Sequence, residues 1–410
     1  MSDIQRRSPP AHEPRYGGAL RALREGNLQR ILVAIRNDGG LSQAEVARRT
    51  ALSPATVSNL VAELKRRGLV RRGERRSDGR TGLEVVIGRA SNVVLGVDFG
   101  HRHVRVGVAG LNGKLLADEQ RLLPLDLRVT ESCAEAWAMA ERLLAAAGAR
   151  APDVLHVGVG LPGPIDPVSG RVGWGAILQR WEGLEARSTL REAFGLPVSV
   201  ENDGNLGALG ELHHGAGRGC TDFVYLNLAT GVGAGLIIDG RLHRGAAGTA
   251  AEIGHITIDP QGPLCRCGNR GCLETMIGSR GILDTLSPSY GQVLDMPAVL
   301  RLAEGGDARC RRALAEAGRA VGVVVADLCN LLSPQRIVVA GDLARAGELV
   351  LSPLRAMVAE RAVPAAARAA EIVPSPLGDR SEMLGAIQLA VDALRGQLTD
   401  ALVTPTASGR

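Results

Sequence analysis

Apolar side chains recur at helical spacing near the start of the chain. Leu28, Ile31, Leu32 and Ile35 fall on one face of a helix, and this pattern predicts a first helix over residues 26–37. Two glycines follow the stretch and mark its end. We therefore expect a short amphipathic helix that buries one face.

Two more short helices are predicted directly after it. Ser42 and Glu45 have the spacing of a capping box, in which hydroxyl and carboxylate bond backbone N–H groups at a helix start, and this helix runs to about Thr50. Ser53 and Pro54 suit the cap and the first turn of a third helix. The buried stripe of that third helix consists of Val57, Leu60, Val61 and Leu64.

The outward face of the third helix is small and polar, which lets such a helix enter the major groove of DNA. An arginine-rich stretch follows, and Asp78-Gly79 can turn a hairpin before the apolar strand 83–87. Arginines on such a hairpin suit phosphates or a narrow minor groove. The pattern indicates a winged helix-turn-helix, with an ordinary three-helix interaction module as the alternative. The predicted DNA-binding residues are Ser53, Ala55, Thr56, Ser58, Asn59, Arg75, Arg76 and Arg80.

The distribution of charge agrees with a nucleic-acid partner. The 410 residues carry a formal net charge of +5, but residues 21–90, with fifteen Lys/Arg and seven Asp/Glu, carry +8, which leaves −3 for the rest. Basic character is thus concentrated in one small module. No apolar run reaches the ~20 residues that cross a bilayer, and the N-terminus has no apolar signal segment, so we expect a cytoplasmic protein.

From Val93 onward the pattern changes to buried strands that alternate with helices. Strands are predicted at 93–98, 104–108 and 155–160, and helices at about 131–147, 311–332 and 381–395. This alternation predicts an α/β fold. Such folds bind ligands beyond the strand ends, next to glycine-rich turns.

The most specific motif is a group of three cysteines and one histidine. His255 is followed by Cys265-x-Cys267-x4-Cys272, and three thiolates with one imidazole complete a tetrahedral zinc shell. Four protein ligands leave no open position, so the zinc is predicted to be structural. The remaining cysteines lack such a grouping and are predicted to be buried small residues: Cys133, Cys220, Cys310 and Cys329.

Two weaker motifs follow predicted strands. Asn202 and Asp203, after the strand 198–200, offer an amide and a carboxylate that suit a polyol, although Asn-Asp-Gly is also a common turn. The segment 229–235, ATGVGAG, is predicted to join the strands 225–228 and 236–238. Its glycines let backbone N–H groups approach an anion, or they form a tight hairpin.

Taken together, these motifs resemble those of the ROK family of sugar kinases and repressors, over nearly all of residues 21–395. The resemblance implies a two-lobed, actin-like and ribonuclease-H-like sugar-kinase fold behind the winged helix-turn-helix. It also implies the family's zinc site at the histidine and cysteines above. In the family's kinases the position of Asp203 is the base that takes the proton from the sugar hydroxyl. The sugar-binding residues implied are Gly163, Asn202, Asp203, Glu252, His255 and Glu274.

The chain departs from the kinases of the family where they hold nucleotide. Their Asp-x-Gly-Gly-Thr turn becomes Asp98-Phe99-Gly100-His101-Arg102, so that His101 and Arg102 fill phosphate space. A later glycine pair becomes Gly341-Asp342, and Ile177 stands where relatives often carry a sugar-binding asparagine. We therefore predict a sensor that has lost phosphotransfer, in which Asp203 only binds.

The prediction is a DNA-binding transcriptional repressor of carbohydrate transport or catabolism genes, with zinc as its cofactor, and not an enzyme. Its expected partners are operator DNA, a sugar or sugar derivative, and further copies of itself in a homodimer or homotetramer, with no membrane. Two alternatives are a bifunctional ATP-dependent sugar kinase with a DNA-binding head and a ligand-free DNA-binding protein. The predicted organisation is a disordered arm 1–20, a DNA-binding domain 21–90, a first lobe 91–200 completed by helix 381–396, a second lobe 201–380 with the zinc loop, and a disordered tail 397–410.

Overall fold

The computed structural model describes residues 16–37, 41–66, 70–77, 80–87, 92–123, 128–173 and 179–403. The chain divides into two compact units. One unit comprises residues 1–90 and 395–410, and the other comprises residues 91–394. Within the described part, no helix is both long enough and apolar enough to cross a membrane.

The first unit contains three helices and a two-stranded hairpin. They are α1 (Tyr16–Asn37), α2 (Gln43–Thr50), α3 (Pro54–Arg66), β1 (Val70–Ser77) and β2 (Arg80–Ile87). The strands pair antiparallel in the register Val70↔Ile87 to Ser77↔Arg80. The predicted apolar stripes of α1 and α3 form one buried core together with Val46, Leu41 and Val85. The capping box of Ser42 and Glu45 is present as predicted.

Helix α1 begins at Tyr16, ten residues before the predicted start at residue 26. The end of the predicted disordered arm 1–20 is therefore helical, because most of the residues after Gly18 are Ala, Leu and Arg, which favour helix. A tertiary contact also anchors the extension, because Arg24 Nη2 lies 2.8 Å from Glu63 Oε2 on α3. Glu63 is buried, which the pattern of apolar positions did not predict.

The second unit is built on two five-stranded mixed sheets. The first has the order β5-β4-β3-β6-β7 and the second the order β10-β9-β8-β11-β12. The strands of the first sheet are β3 (Val93–Phe99), β4 (His103–Gly110), β5 (Leu115–Leu122), β6 (Val154–Leu161) and β7 (Val198–Asn202). The strands of the second are β8 (Phe223–Leu228), β9 (Val232–Ile238), β10 (Arg241–His243), β11 (Arg336–Ala340) and β12 (Glu371–Pro374).

Helices cover both faces of each sheet. On the first sheet, α4 (Val129–Ala146) and α5 (Ala186–Phe194) pack on one face and α13 (Ser381–Val403) on the other. On the second sheet, α6 (Asp203–His214) packs on one face. The opposite face is covered by α7 (Leu273–Ile277), α8 (Ser279–Leu286), α9 (Met296–Glu304), α10 (Ala308–Leu332), α11 (Glu348–Arg361) and α12 (Pro364–Ala369). The predicted α/β class is confirmed.

Glycines let α6 and α13 approach each other to backbone contact. A Cβ on Gly385 of α13 would lie 1.8 Å from the carbonyl oxygen of Leu206 on α6. A Cβ on Gly158 of β6 would lie 1.9 Å from the carbonyl oxygen of Ala386. Side chains at these positions would therefore separate the elements that carry the candidate site.

Two further boundaries, in the second unit and at its C-terminal helix, differ from the sequence prediction. Helix α13 continues to Val403, so seven residues of the expected disordered tail are helical; Leu398, Ala401 and Leu402 keep the helical spacing. Strand β9 begins at Val232 instead of Leu236. The glycine segment is therefore a hairpin, and Gly235 packs against α6, where a Cβ would lie 2.3 Å from the carbonyl oxygen of Gly204.

Candidate functional site

The histidine and three cysteines of the predicted metal motif come together in the second unit. His255 ends a short 3₁₀ turn, Cys265 and Cys267 lie in the loop after it, and Cys272 precedes α7. The four ligand atoms all lie within 4.8 Å of one another. Cys265 Sγ is 3.5 Å from His255 Nδ1, and Cys267 Sγ is 3.5 Å from Cys272 Sγ.

This donor set fits a tetrahedral zinc ion. Zinc–sulfur bonds of about 2.3 Å at tetrahedral angles separate two sulfurs by about 3.8 Å, close to the spacing found. The loop reaches this shape through Gly268 and Gly271, with φ of 87° and 58°. A Cβ on Gly271 would also lie 1.5 Å from the carbonyl oxygen of Asp259. Among the described residues, no other group of three or more His, Cys, Asp or Glu side chains has metal-binding geometry.

The other cysteines lie outside this cluster. Cys133, Cys310 and Cys329 are buried, as predicted, but Cys220 is half-buried. Cys220 follows α6 in a turn and its backbone N–H donates to Gly217 O, so the turn leaves its side chain partly accessible.

His255 connects the metal cluster to the predicted sugar site. Its Nδ1 faces Cys265, and its Nε2 lies 3.8 Å from Glu252 Oε2. A histidine bound to a metal through one nitrogen keeps the other nitrogen for a hydrogen bond. Burial raises the pKa of Glu252, with Glu274 raising it further and Arg266 opposing both.

Asn202 and Asp203 stand at the junction of β7 and α6, beside Gly163. Asn202 caps α6, since its Oδ1 accepts from the Asn205 N–H at 3.0 Å, and its Nδ2 donates to Gly163 O at 3.0 Å and to Asp203 Oδ1 at 3.0 Å. Asn-Asp-Gly therefore forms the junction between β7 and α6, and not a turn within a loop. Burial, together with Asp98 and Glu252, raises the pKa of Asp203 to about 7, so near neutral pH this carboxyl both donates and accepts.

Two arginines pair with carboxylates, one of which is the predicted site residue Glu274 and the other its neighbour in the sequence motif of Asn202, Glu201; the sequence reasoning missed both arginines. Arg266 Nη2 donates to Glu274 Oε2 at 2.9 Å, and the same oxygen accepts from the Val232 N–H at 3.2 Å. Arg244 Nε donates to the buried Glu201 Oε2 at 2.5 Å. A signal for Arg266 was available, because it lies between two metal ligands, whereas nothing in the sequence pairs Arg244 with Glu201.

The turn after β3 does not fill the phosphate space in the way predicted for His101 and Arg102. Arg102 is exposed, so its side chain does not fill that space, and His101 is only half-buried. Instead the ring of His103 packs over Gly100, where a Cβ would lie 2.1 Å from His103 Cε1. His103 Nε2 lies 3.3 Å from Asp98 Oδ2. Burial is the largest single effect and lowers the pKa of His103, but the hydrogen bond to Asp98 and the charges of Asp98 and Glu382 together outweigh it and raise that pKa.

A buried glutamate that the sequence analysis did not single out adjoins these groups. Glu382 Oε1 accepts from Tyr225 Oη at 2.6 Å and from Asn227 Nδ2 at 3.0 Å. Burial, with the nearby Asp98 and Asp203, raises the pKa of Glu382 to about 8. The predicted carboxylate Asp342 follows β11, and burial raises its pKa as well. Both carboxyls lie near the turn after β3, because Asp98 raises the pKa of Glu382 and His103 lowers that of Asp342.

The raised pKa of Glu382 predicts a pH-dependent stability. A carboxyl whose pKa is higher in the folded state binds its proton more tightly there, so its contribution to stability is lost as pH rises from its unfolded pKa towards about 8. We expect the unfolding free energy to fall between pH 6 and pH 8.5, and to fall less in Glu382→Gln. Urea unfolding at both pH values measures this, with the exposed Glu304→Gln as control. Equal pH slopes in wild type and Glu382→Gln would contradict it.

The predicted DNA-binding residues divide into three groups. Ala55, Ser58 and Asn59 are exposed on α3. Thr56 is half-buried, and Ser53 Oγ accepts from its backbone N–H at 3.1 Å, so these two residues cap the helix. The side chains of Arg75, Arg76 and Arg80 lie outside those that the structure describes, although their backbones pair in β1 and β2.

The stretch around Ile177 also lies outside the described residues. Trp181, which follows it, is buried, and its ring centroid lies 5.3 Å from that of Phe99. Trp181 and Phe99 therefore belong to the buried core of the first sheet.

Comparison with known proteins matches both units. The profile of the ROK family matches residues 94–393, and that of the MarR family matches residues 30–81. The chain is 30% identical over 384 residues to the xylose repressor of Caldicellulosiruptor bescii, covering 90% of this chain and 96% of that protein. It is 29% identical to the N-acetylglucosamine repressor of Escherichia coli O157:H7, covering 92% and 95%.

Two solved structures extend the comparison. A ROK family transcriptional regulator, a homologue of the E. coli MLC protein, superposes with a TM-score of 0.75 at 24% identity, covering 93% of this chain and 99% of that one. A ROK family glucokinase from Streptomyces griseus, in complex with glucose and AMPPNP, superposes with a TM-score of 0.65 at 30% identity, covering 73% and 100%. The kinase thus lacks a counterpart to about a quarter of the chain.

Proposed function

Because the chain belongs to the ROK family, we propose that it is a DNA-binding transcriptional repressor whose second unit senses a sugar. One observation carries the proposal: a MarR-like winged helix-turn-helix precedes the ROK domain, and both together align with nearly the whole length of curated sugar-responsive repressors. Such a protein acts on the chromosome, which places it in the cytoplasm.

The kinase alternative is weaker, although Asp203 is retained. The curated relatives named above are repressors, whereas the similar glucokinase covers the second unit alone. Asp98 is paired with His103, and the His103 ring covers Gly100, in the turn that wraps phosphates in the family's kinases. The protein is accordingly not an enzyme, and Asp203 binds without transferring a proton.

A structural zinc ion is proposed at His255, Cys265, Cys267 and Cys272. The spacing of the donor atoms and the soft thiolate ligands support zinc. The effector is proposed to bind next to it, against Gly163, Asn202, Asp203, Glu252, His255 and Glu274. These residues combine acceptors and donors, as the hydroxyls of a sugar require. Through His255, the metal loop and the effector share one side chain.

Regulation is proposed to act through a dimer or tetramer that places two recognition helices on a pseudo-palindromic operator. A sugar that binds more tightly when the two sheets close on each other would change the spacing of the two winged helix-turn-helix units of a dimer. If the sugar binds the closed form more tightly by ~2 kcal/mol, operator affinity falls about 30-fold, which is a usual scale of allosteric coupling.

Replacing Glu252 with alanine tests the sensor. Operator affinity is measured by fluorescence anisotropy while candidate sugars, xylose and N-acetylglucosamine first, are added. We expect the active sugar to weaken operator binding about 30-fold in wild type, and Glu252→Ala to keep operator binding but to lose most of this response. The exposed Glu304→Ala should respond like wild type. If a sugar binds the wild-type protein and leaves operator affinity unchanged, the proposed switch is wrong; ATP turnover with a sugar would instead favour the kinase.

A further inference from the structure

At the start of the recognition helix α3, the hydroxyls of Ser53 and Thr56 are used to cap the helix, whereas the polar side chains of Ser58 and Asn59 are exposed. Ser53 Oγ accepts from the Thr56 N–H at 3.1 Å and lies 2.8 Å from Thr56 Oγ1. These hydroxyls therefore bond each other and the first turn of the helix. Thr56 is also half-buried, which takes it off the outermost face.

The face that remains is an exposed stripe over the first turns of α3, which Arg66 continues in the last turn. Ala55, Ser58, Asn59 and Ala62 stand at helical spacings of three and four residues, and all four are exposed. Three of them are small, so the helix can approach the floor of a groove closely. Asn59 alone in this stripe carries a planar carboxamide that both donates and accepts.

The donor and acceptor pattern of Asn59 selects one base. In the major groove adenine presents the N7 acceptor beside the N6 donor, and a carboxamide bonds both at once. Guanine presents two acceptors, N7 and O6, for which arginine or lysine is the matching side chain. Cytosine and thymine offer no such adjacent pair on one base.

We propose that Asn59 reads one adenine in the major groove of each operator half-site and is the main determinant of base identity on α3. This inference rests on the proposed DNA-binding function and adds the base that the helix selects. Ser53 and Thr56 shape the start of the helix, and Ala55, Ser58 and Ala62 allow close approach.

Selection from a random double-stranded DNA library, followed by sequencing, tests the proposal with the full chain. Wild type, Asn59→Ala, Asn59→Arg and the neighbouring control Ser58→Ala are compared, after circular dichroism has verified that each is folded. We expect wild type to enrich a motif with an adenine at one position of each half-site. In Asn59→Ala, the preference for adenine over the other bases at that position should fall between about 5- and 150-fold, and the preferences at the other positions should stay the same. Asn59→Arg should change the preferred base there to guanine, and Ser58→Ala should keep the adenine.

The outcomes separate this inference from the proposed function. An unchanged adenine preference in Asn59→Ala overturns the role of Asn59, and so does a wild-type motif without adenine in its half-sites; in both cases the protein still binds DNA specifically. If the wild-type chain enriches no motif, the proposed function itself fails. If Asn59→Ala unfolds, the base preferred by folded Asn59→Arg decides: guanine supports the proposal, and retained adenine overturns it.

Discussion

Cys272→Ser is expected to reduce bound zinc from about one ion per chain to near zero and to remove the sugar response. Cys272 is fully buried at the centre of the candidate metal cluster. Changes to groups that only support a metal ligand already cost about 10- to 100-fold in affinity, so loss of a direct ligand should cost more. Metal analysis of freshly purified protein measures the first effect, and the sugar-dependent change in operator affinity measures the second.

The response should be lost because the metal loop positions the proposed sugar ligands. Cys272 forms an isolated backbone bridge with Thr257, two residues after His255. Glu274 follows Cys272 by two residues in α7, and Glu252 precedes His255 by three. Where binding of a structural metal contributes to folding, its loss loosens the surrounding chain.

Cys220→Ser is the matched control, because Cys220 lies outside the cluster and is only half-buried. This variant should retain both zinc and the sugar response. Stoichiometric zinc in Cys272→Ser, or none in wild type, would contradict the metal assignment. A zinc-free Cys272→Ser that still responds fully to the sugar would show that the metal loop does not position the effector.

Gly385→Ala should destabilise the second unit more than an ordinary helix substitution. Alanine favours helix over glycine, but here its Cβ would lie 1.8 Å from the backbone oxygen of Leu206. Backbone cannot rotate away as a side chain can, so α6 and α13 must separate. We expect a cost of about 3 kcal/mol, at the upper end of the usual range for overpacking. The melting temperature should fall by roughly 6–12 °C.

The same change should weaken sugar binding, since Asn202 and Asp203 stand at the start of α6. Gly305→Ala is the control, because a Cβ there meets its nearest neighbour, Arg301 O, at an ordinary 3.4 Å. Calorimetry of both variants provides the comparison. A Gly385→Ala protein as stable as wild type would show that the helix crossing is looser than described.

Local patterns accounted for most of the elements and for the metal motif. The Ser42–Glu45 capping box, the apolar stripe of α3 and the Cys/His spacing each depend on residues near one another in the chain. The contact that anchors the early part of α1, the Arg24–Glu63 pair, instead joins positions 39 residues apart. The resemblance to a family supplied the sugar residues, but the arginine partners of Glu201 and Glu274 had no counterpart in it.

The amino-acid sequence was enough to predict the kinds of structure and chemistry available: a basic helix-turn-helix, an α/β unit, and four metal donors at the right spacing. Periodicity, capping and short motifs act within a few residues, so they can be recognised in the chain alone. Which charges meet became visible only in the packed fold. It placed His103 on Asp98, buried Glu382 beside Tyr225 and paired Arg266 with Glu274. Burial and charge pairing depend on distances between distant segments, and these distances arise only when the sheets and helices pack.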